Sequence, residues 1–331
     1  MTRLITLALF LPLLVNSAES HARRPPARHR TFDPAIANNP TLSTTVRPRS
    51  SGSAVLRAEI LLDRAHFASG EIDGSYSLNL RNTVKAYQKA HDLPDTGVID
   101  AKTWKLLNQD SAPVLVPYTI SPHDVAGPFD KIPSDMQEKA KLPVLGYESA
   151  LEGLSEKFHA SPHLLQLLNP GKKFDEAGQE ILTPDVQRAA VTGKAALVIV
   201  LREERCVEVL DHAQRVIAHY PATMGSDHDP LPVGEWKLHK PIKDPPFFYN
   251  SDLFWDSTEA HAKARIPPGP NNPVGPVWIG MSKEHYGIHG TPDPALIGKN
   301  QSHGCIRLTN WDALELAGMV TLGMTASLRE N

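Results

Sequence analysis

Two short stretches near the C-terminus hold the residue types that make or break acyl bonds. Ser302-His303-Gly304-Cys305-Ile306-Arg307 sets a thiol beside an imidazole, a glycine and a fixed positive charge, and Ile288-His289-Gly290 adds a second imidazole, sixteen residues before the cysteine. A thiol attacks only as the thiolate, and a free cysteine is mostly protonated at neutral pH. A nearby imidazole can take the proton and then hold the thiolate as an ion pair. Gly304 allows a substrate close to the backbone, where amide N–H groups can hold an oxyanion. On extended backbone Arg307 projects to the side of Cys305, placed to grip a carboxylate.

Either histidine can be the base. His303 lies two residues before Cys305, so on extended backbone the two share a face with Cα atoms about 6–7 Å apart. His289 comes from a separate segment and can be aimed across the site. A metal reading competes, because His285, His289, His303 and Cys305 could all ligate zinc. Their spacing matches no zinc motif, and the expectation is a site without metal or cofactor.

The run His289-Gly290-Thr291 followed by Ser302-His303-Gly304-Cys305-Ile306-Arg307-Leu308 resembles the active-site signature of the L,D-transpeptidases, the YkuD-type catalytic domain. The resemblance implies that Cys305 is the nucleophile and His289 the acid/base, oriented by the carbonyl of Gly290. It implies that His303 and Gly304 support the nucleophile, with Ser302 and Arg307 on the substrate side. The implied reaction is attack on the L,D-bond of a peptidoglycan tetrapeptide stem, release of D-alanine, and transfer of the acyl group to an amine. The amine would come from another stem or a wall-attached lipoprotein. Water as acceptor would give an L,D-carboxypeptidase. A non-catalytic wall-binding protein is the other alternative, and the intact His/His/Gly/Cys/Arg set argues against it. A papain-like peptidase is excluded by chain order, since its cysteine precedes its histidine.

The chain has 331 residues, enough for two or three domains. Its net charge of −3, with 21% charged residues, gives no support for nucleic-acid binding. The 29 prolines cluster between apolar segments, as in modules joined by stiff connectors. Residues 1–18 have the layout of a secretory signal: Arg3, a short apolar run from Leu4 to Val15, then Ser17 and Ala18. No later stretch is apolar enough to span a bilayer, so the mature chain is expected in the periplasm or cell envelope, associated with the wall. In that compartment Cys206 and Cys305 could form a disulfide, which would block the nucleophile; a buried structural thiol is the plainer reading of Cys206.

The expected architecture is multidomain, α then mainly β. Residues 19–54 lack apolar periodicity and are expected to form a disordered linker. In 55–110, Leu56, Ile60 and Phe67 form one stripe, Leu80, Val84 and Tyr87 another, and Asp100 caps a last helix carrying Trp104 and Leu107. This segment resembles the peptidoglycan-binding type 1 domain, through Gly70-Glu71-Ile72-Asp73-Gly74, Val84-Lys85-Ala86-Tyr87-Gln88 and Thr96-Gly97-Val98-Ile99-Asp100. Residues 111–143 are expected to be a second linker. In 144–190, Leu151, Leu154 and Phe158 mark one helix and Pro162 opens another. Asn169-Pro170-Gly171 and Gly178-Gln179-Glu180-Ile181 resemble a LysM module, a glycan binder. Residues 191–331 carry strands at 195–201, 206–210, 215–220, 232–238 and 277–281, and a helix at 312–320. The resemblance implies a β-sandwich there, its cleft shaped by 241–276 and 292–301.

Overall fold

The computed structural model describes residues 32–331 apart from 190, 192 and 256–260. The proposed signal, 1–18, and the first part of the expected linker lie outside these residues. The rest of that linker is ordered, which corrects the expectation. It forms helix α1 (Pro34–Ala37), then exchanges backbone hydrogen bonds between Val46 and Ile99. Ala37 and Val46 are buried, so a few apolar anchors fix a segment whose composition looks unstructured.

Helix α2 (Ser53–Arg64), α3 (Leu78–Ala90) and α4 (Ala101–Leu107) follow. The Ser77 and Asp100 side chains accept from the N–H groups of Leu80 and Thr103 and start the last two helices. Leu56, Ile60, Leu80 and Val84 are fully buried, each side chain worth roughly 1.5–3 kcal/mol. Phe67 lies beyond the end of α2 and packs edge-on against Tyr87. Tyr87 and Trp104 are core residues, and the Trp104 indole donates to the Thr44 carbonyl.

The expected linker 111–143 is also corrected. It contains β1 (Leu115–Thr119) and the short helix α5 (Met136–Lys139). After α6 (Ala150–Lys157) and α7 (Pro162–Leu168) comes β2 (Glu180–Pro184), which pairs antiparallel with β1, Leu115 opposite Pro184. A strand thirty residues upstream of its helices escapes a reading that looks for contiguous modules. Residues 115–184 therefore form a β-α-α-β unit, interrupted by the segment that carries α5. Its core is continuous with that of α2–α4.

The remaining chain is a β-sandwich. One sheet has the order β5-β4-β3-β14-β7, from β3 (Ala195–Leu201), β4 (Cys206–Asp211), β5 (Val216–Pro221), β7 (Gly234–Lys237) and β14 (Thr325–Arg329). The other has the order β6-β13-β12-β11-β8, from β6 (Thr223–Met224), β8 (Ile242–Lys243), β11 (Val277–Gly280), β12 (Gly287–His289) and β13 (Ile306–Arg307). Their facing residues, among them Val198, Val207, Ile279, Ile288 and Ile306, form one core with α8 (Asn310–Met319). A hairpin of β9 (Phe247–Asn250) and β10 (Lys263–Ile266) projects from the loop expected to shape the cleft. Residues Ile132, Met136, Ala140 and Leu142 pack on that hairpin, which accounts for much of the second linker.

Candidate active site

Strands β12 and β13 run parallel, with Ile288 opposite Ile306 and His289 opposite Arg307. Ile288 and Ile306 point into the sandwich. By the two-residue period, His289 and Arg307 lie on the outer face, and Cys305, just before β13, continues the line. Strand pairing thus sets sequence-distant His289 beside Arg307, two residues beyond Cys305. Two core isoleucines paired across the strands, Ile288 and Ile306, set this alignment.

His289 is buried, 3% exposed. Its Nδ1 lies 2.7 Å from the Gly290 carbonyl, which can only accept, so Nδ1 carries the proton and Nε2 is left with its lone pair. Trp278, its neighbour on β11, stacks on the ring at 5.4 Å. Burial, then the charge of Arg307, pushes the imidazole down to about 3, against the opposing Gly290 hydrogen bond. His289 is therefore neutral through the physiological range.

Cys305 is half-buried and not in a disulfide; Cys206 is also free, and it lies on the other sheet. The Cys305 thiol donates to the His285 carbonyl at 3.5 Å. Burial raises its pKa, while the Gly287 N–H and Arg307 pull the other way. The resting pair is thus thiol and neutral imidazole. Burial of each group disfavours the ion pair at rest. His285 sits at φ 66°, a left-handed conformation costly for a non-glycine residue, and it is the carbonyl of this residue that meets the sulfur.

The turn before the nucleophile is held internally. The Ser302 hydroxyl accepts from the Gly225 N–H at 2.7 Å and donates to the Cys305 carbonyl at 2.6 Å. Ser302 is buried, and both of these hydrogen bonds hold the turn. Gly304 has φ 96°, and a Cβ there would lie 2.6 Å from the Tyr286 ring. His303 packs edge-on against Phe254 at 4.9 Å and beside Trp255 at 5.9 Å, so the β9–β10 arm reaches the active-site turn.

Asn310 was not singled out by sequence, yet it clamps the turn after the histidine. Its Oδ1 accepts from the Thr291 N–H, and its Nδ2 donates to Glu156 at 2.7 Å and to the Pro270 carbonyl. Trp278 was also missed as a site residue. Strand alternation, carried one strand over from His289, could have found it; nothing local marks Asn310.

Residues 194–327 match the family model of the YkuD L,D-transpeptidase catalytic domain, and residues 51–107 match a peptidoglycan binding domain. A Bacillus licheniformis protein named L,D-transpeptidase YkuD is 30% identical over 181 residues, 54% of this chain and 92% of that protein. A Bacillus subtilis protein of the same name is 51% identical over 59 residues, 18% of this chain and 36% of that protein. Among solved structures, an L,D-transpeptidase from Mycobacterium smegmatis aligns with a TM-score of 0.33 at 20% identity, covering 47% of this chain and 76% of that one. Fold and site together define a thiol acyltransferase built on a β-sandwich. The chain belongs to the L,D-transpeptidase family.

Proposed function

We propose that this protein is a cysteine-dependent peptidoglycan L,D-transpeptidase, exported and held at the cell wall. The observation that carries the assignment of residues is the pairing of β12 with β13, which supports Cys305, His289 and Arg307 acting on one substrate from one face. His289 Nε2 takes the Cys305 proton as the sulfur attacks the carbonyl carbon of the L-residue in a tetrapeptide stem. Backbone N–H groups around Gly304 and Cys305 hold the oxyanion. The His289 proton passes to the departing D-alanine nitrogen, the C–N bond breaks, and a thioester remains. An amine acceptor then adds to the thioester, loses its proton to His289, and expels the sulfur, which recovers the proton.

Because thiol and imidazole are both neutral at rest, proton transfer accompanies attack. Arg307 has two roles in this reading: it grips a stem carboxylate and adds to the burial that keeps His289 unprotonated. His303 supports the nucleophile beside the β9–β10 arm. No metal or organic cofactor enters these steps. For the acceptor we favour an amine, from another stem or a lipoprotein, over water.

The N-terminal half is proposed to hold the wall. Residues 51–107 supply the peptidoglycan-binding module. The β-α-α-β unit of 115–184 is proposed as a LysM-like glycan binder, a reading supported by the pairing of β1 with β2 around two capped helices. The test is purified full-length protein with tetrapeptide stems, followed by mass spectrometry. D-alanine release, cross-linked product and a covalent Cys305 intermediate are expected; a Cys305→Ser protein that released D-alanine at the wild-type rate would refute the nucleophile assignment.

A further inference from the structure

The second cysteine of the chain has no part in the acyl transfer, and its surroundings are unusual for a structural thiol. Cys206 and Glu208 are two apart on β4 and share the face that points away from the sandwich core. His219 stands directly opposite Glu208 on β5. The sulfur, a carboxylate oxygen and a ring nitrogen of these residues all lie within 4.8 Å of one another. His219 Nδ1 is 3.6 Å from Glu208 Oε1, too far for a hydrogen bond.

His219 is 2% exposed, and neither of its ring nitrogens has a hydrogen-bond partner among the described residues. A neutral imidazole would strand one donor and one acceptor, and an imidazolium would strand two donors. Either state costs on the order of 1–3 kcal/mol per orphaned group. One ring face is covered by Phe67, stacked at 6.5 Å and 12°. The orphaned nitrogens and the clustered ligand atoms are separate observations, and one cation would account for the cluster and for one of the two nitrogens.

We propose that Cys206, Glu208 and His219 bind a single divalent ion of the zinc class. The donor set selects the ion: thiolate and imidazole suit zinc and its neighbours, whereas magnesium and calcium take oxygen ligands. A tetrahedral zinc would set ligand atoms roughly 3.4–3.7 Å apart, so small side-chain rotations close the site. Glu208, the most exposed of the three, leaves a fourth position for water. A thiolate ligand must give up its proton, so loading the site releases one.

The site lies at a junction. β5 is an edge strand, and residues 66–68 extend its sheet: Ala68 N–H donates to the His219 carbonyl, and His219 N–H to the His66 carbonyl. An ion joining β4 to β5 would stiffen the edge on which the helical half is docked.

The test uses full-length, untagged Cys305→Ser protein, so that Cys206 is the remaining thiol. After zinc loading and exhaustive dialysis, elemental analysis is expected to find one zinc per chain. Replacement by Co2+ is expected to give a thiolate-to-metal charge-transfer band. Adding Cys206→Ser or His219→Gln should abolish the band and lower retained zinc at least tenfold. Folded Cys305→Ser protein that retains no zinc and shows no band overturns the proposal without any further variant. So does undiminished zinc retention after His219→Gln. Neither result touches the assignment of Cys305.

Discussion

At the scale of single residues, burial sets the direction of two titrations and one arginine bears on both. Arg307 lowers the His289 pKa and also pulls down the Cys305 thiol, against the burial that raises it. Removing the charge with Arg307→Gln should raise both. The pH at which iodoacetamide alkylates Cys305 is then expected to shift upward relative to wild type, and an unchanged profile would remove Arg307 from this role. His289 itself, at about 3, should leave no acid limb near 6.5 in the pH dependence of kcat/KM. Depressed titration of a base also carries a stability sign. Between about 6.5 and 3 the unfolded chain binds a proton at His289 that the folded chain does not, so stability falls as pH drops through that window. A second residue-scale prediction concerns Asn310. Asn310→Ala would strand the Thr291 N–H at a cost of about 1–3 kcal/mol and loosen the His289 turn. At least a tenfold loss of kcat/KM is expected, with Cys305 alkylation unchanged.

At the scale of elements, the site depends on a turn that only glycine can make. Gly304→Ala would put a methyl group into the Tyr286 ring at a positive φ, at a strain of roughly 1–3 kcal/mol. A soluble protein with kcat/KM down about 10- to 100-fold is expected, and Tyr286→Ala on the same chain should recover only the part due to the clash. Much of this element structure was legible in sequence. The unbroken apolar run predicts 195–201 and the strand is Ala195–Leu201; Pro162 predicts the start of α7 and provides it. The signature singles out Cys305 and His289 as candidates because its motifs are local. What could not be read is pairing over long separations. β1 finds β2 some sixty residues on, and the sixteen-residue step from His289 to Cys305 gives no hint that their strands are parallel neighbours. For Ser302 sequence shows a hydroxyl, not the two backbone groups that use it.

At the scale of the molecule, the helical half and the sandwich meet through buried charge. The Arg188 guanidinium donates to Asp63 of α2 at 2.7 Å, to Asp312 of α8 at 2.9 Å and to Glu315 of α8. His66 and Tyr220 close on Glu315, and His159 on Asp63. Arg188 comes from the segment that joins the two halves, so a single cation ties linker, helix and sandwich together. Burial works against the ionised form of both aspartates. At Asp63 the charges of Arg188 and His159 win and hold the carboxyl below its usual range, whereas at Asp312 burial wins and raises it to about 6. Opposite signs follow. Asp63 contributes stability that is present above about pH 4 and lost as pH falls below it; Asp312 disfavours folding as pH rises from about 4 to 6. Replacing Arg188 by methionine leaves three acids facing one another without the cation, a loss of about 3–5 kcal/mol at pH 8. At roughly 2–4 °C per kcal/mol, the melting temperature should fall on the order of 10 °C. Without the cation the acids take up protons more readily, so the deficit should shrink when the comparison is made at pH 5. Thermal melts of wild type and Arg188→Met at both pH values decide the matter. A deficit of equal size at pH 5 and pH 8 would mean that Arg188 acts through packing, and that charge does not hold the two halves together.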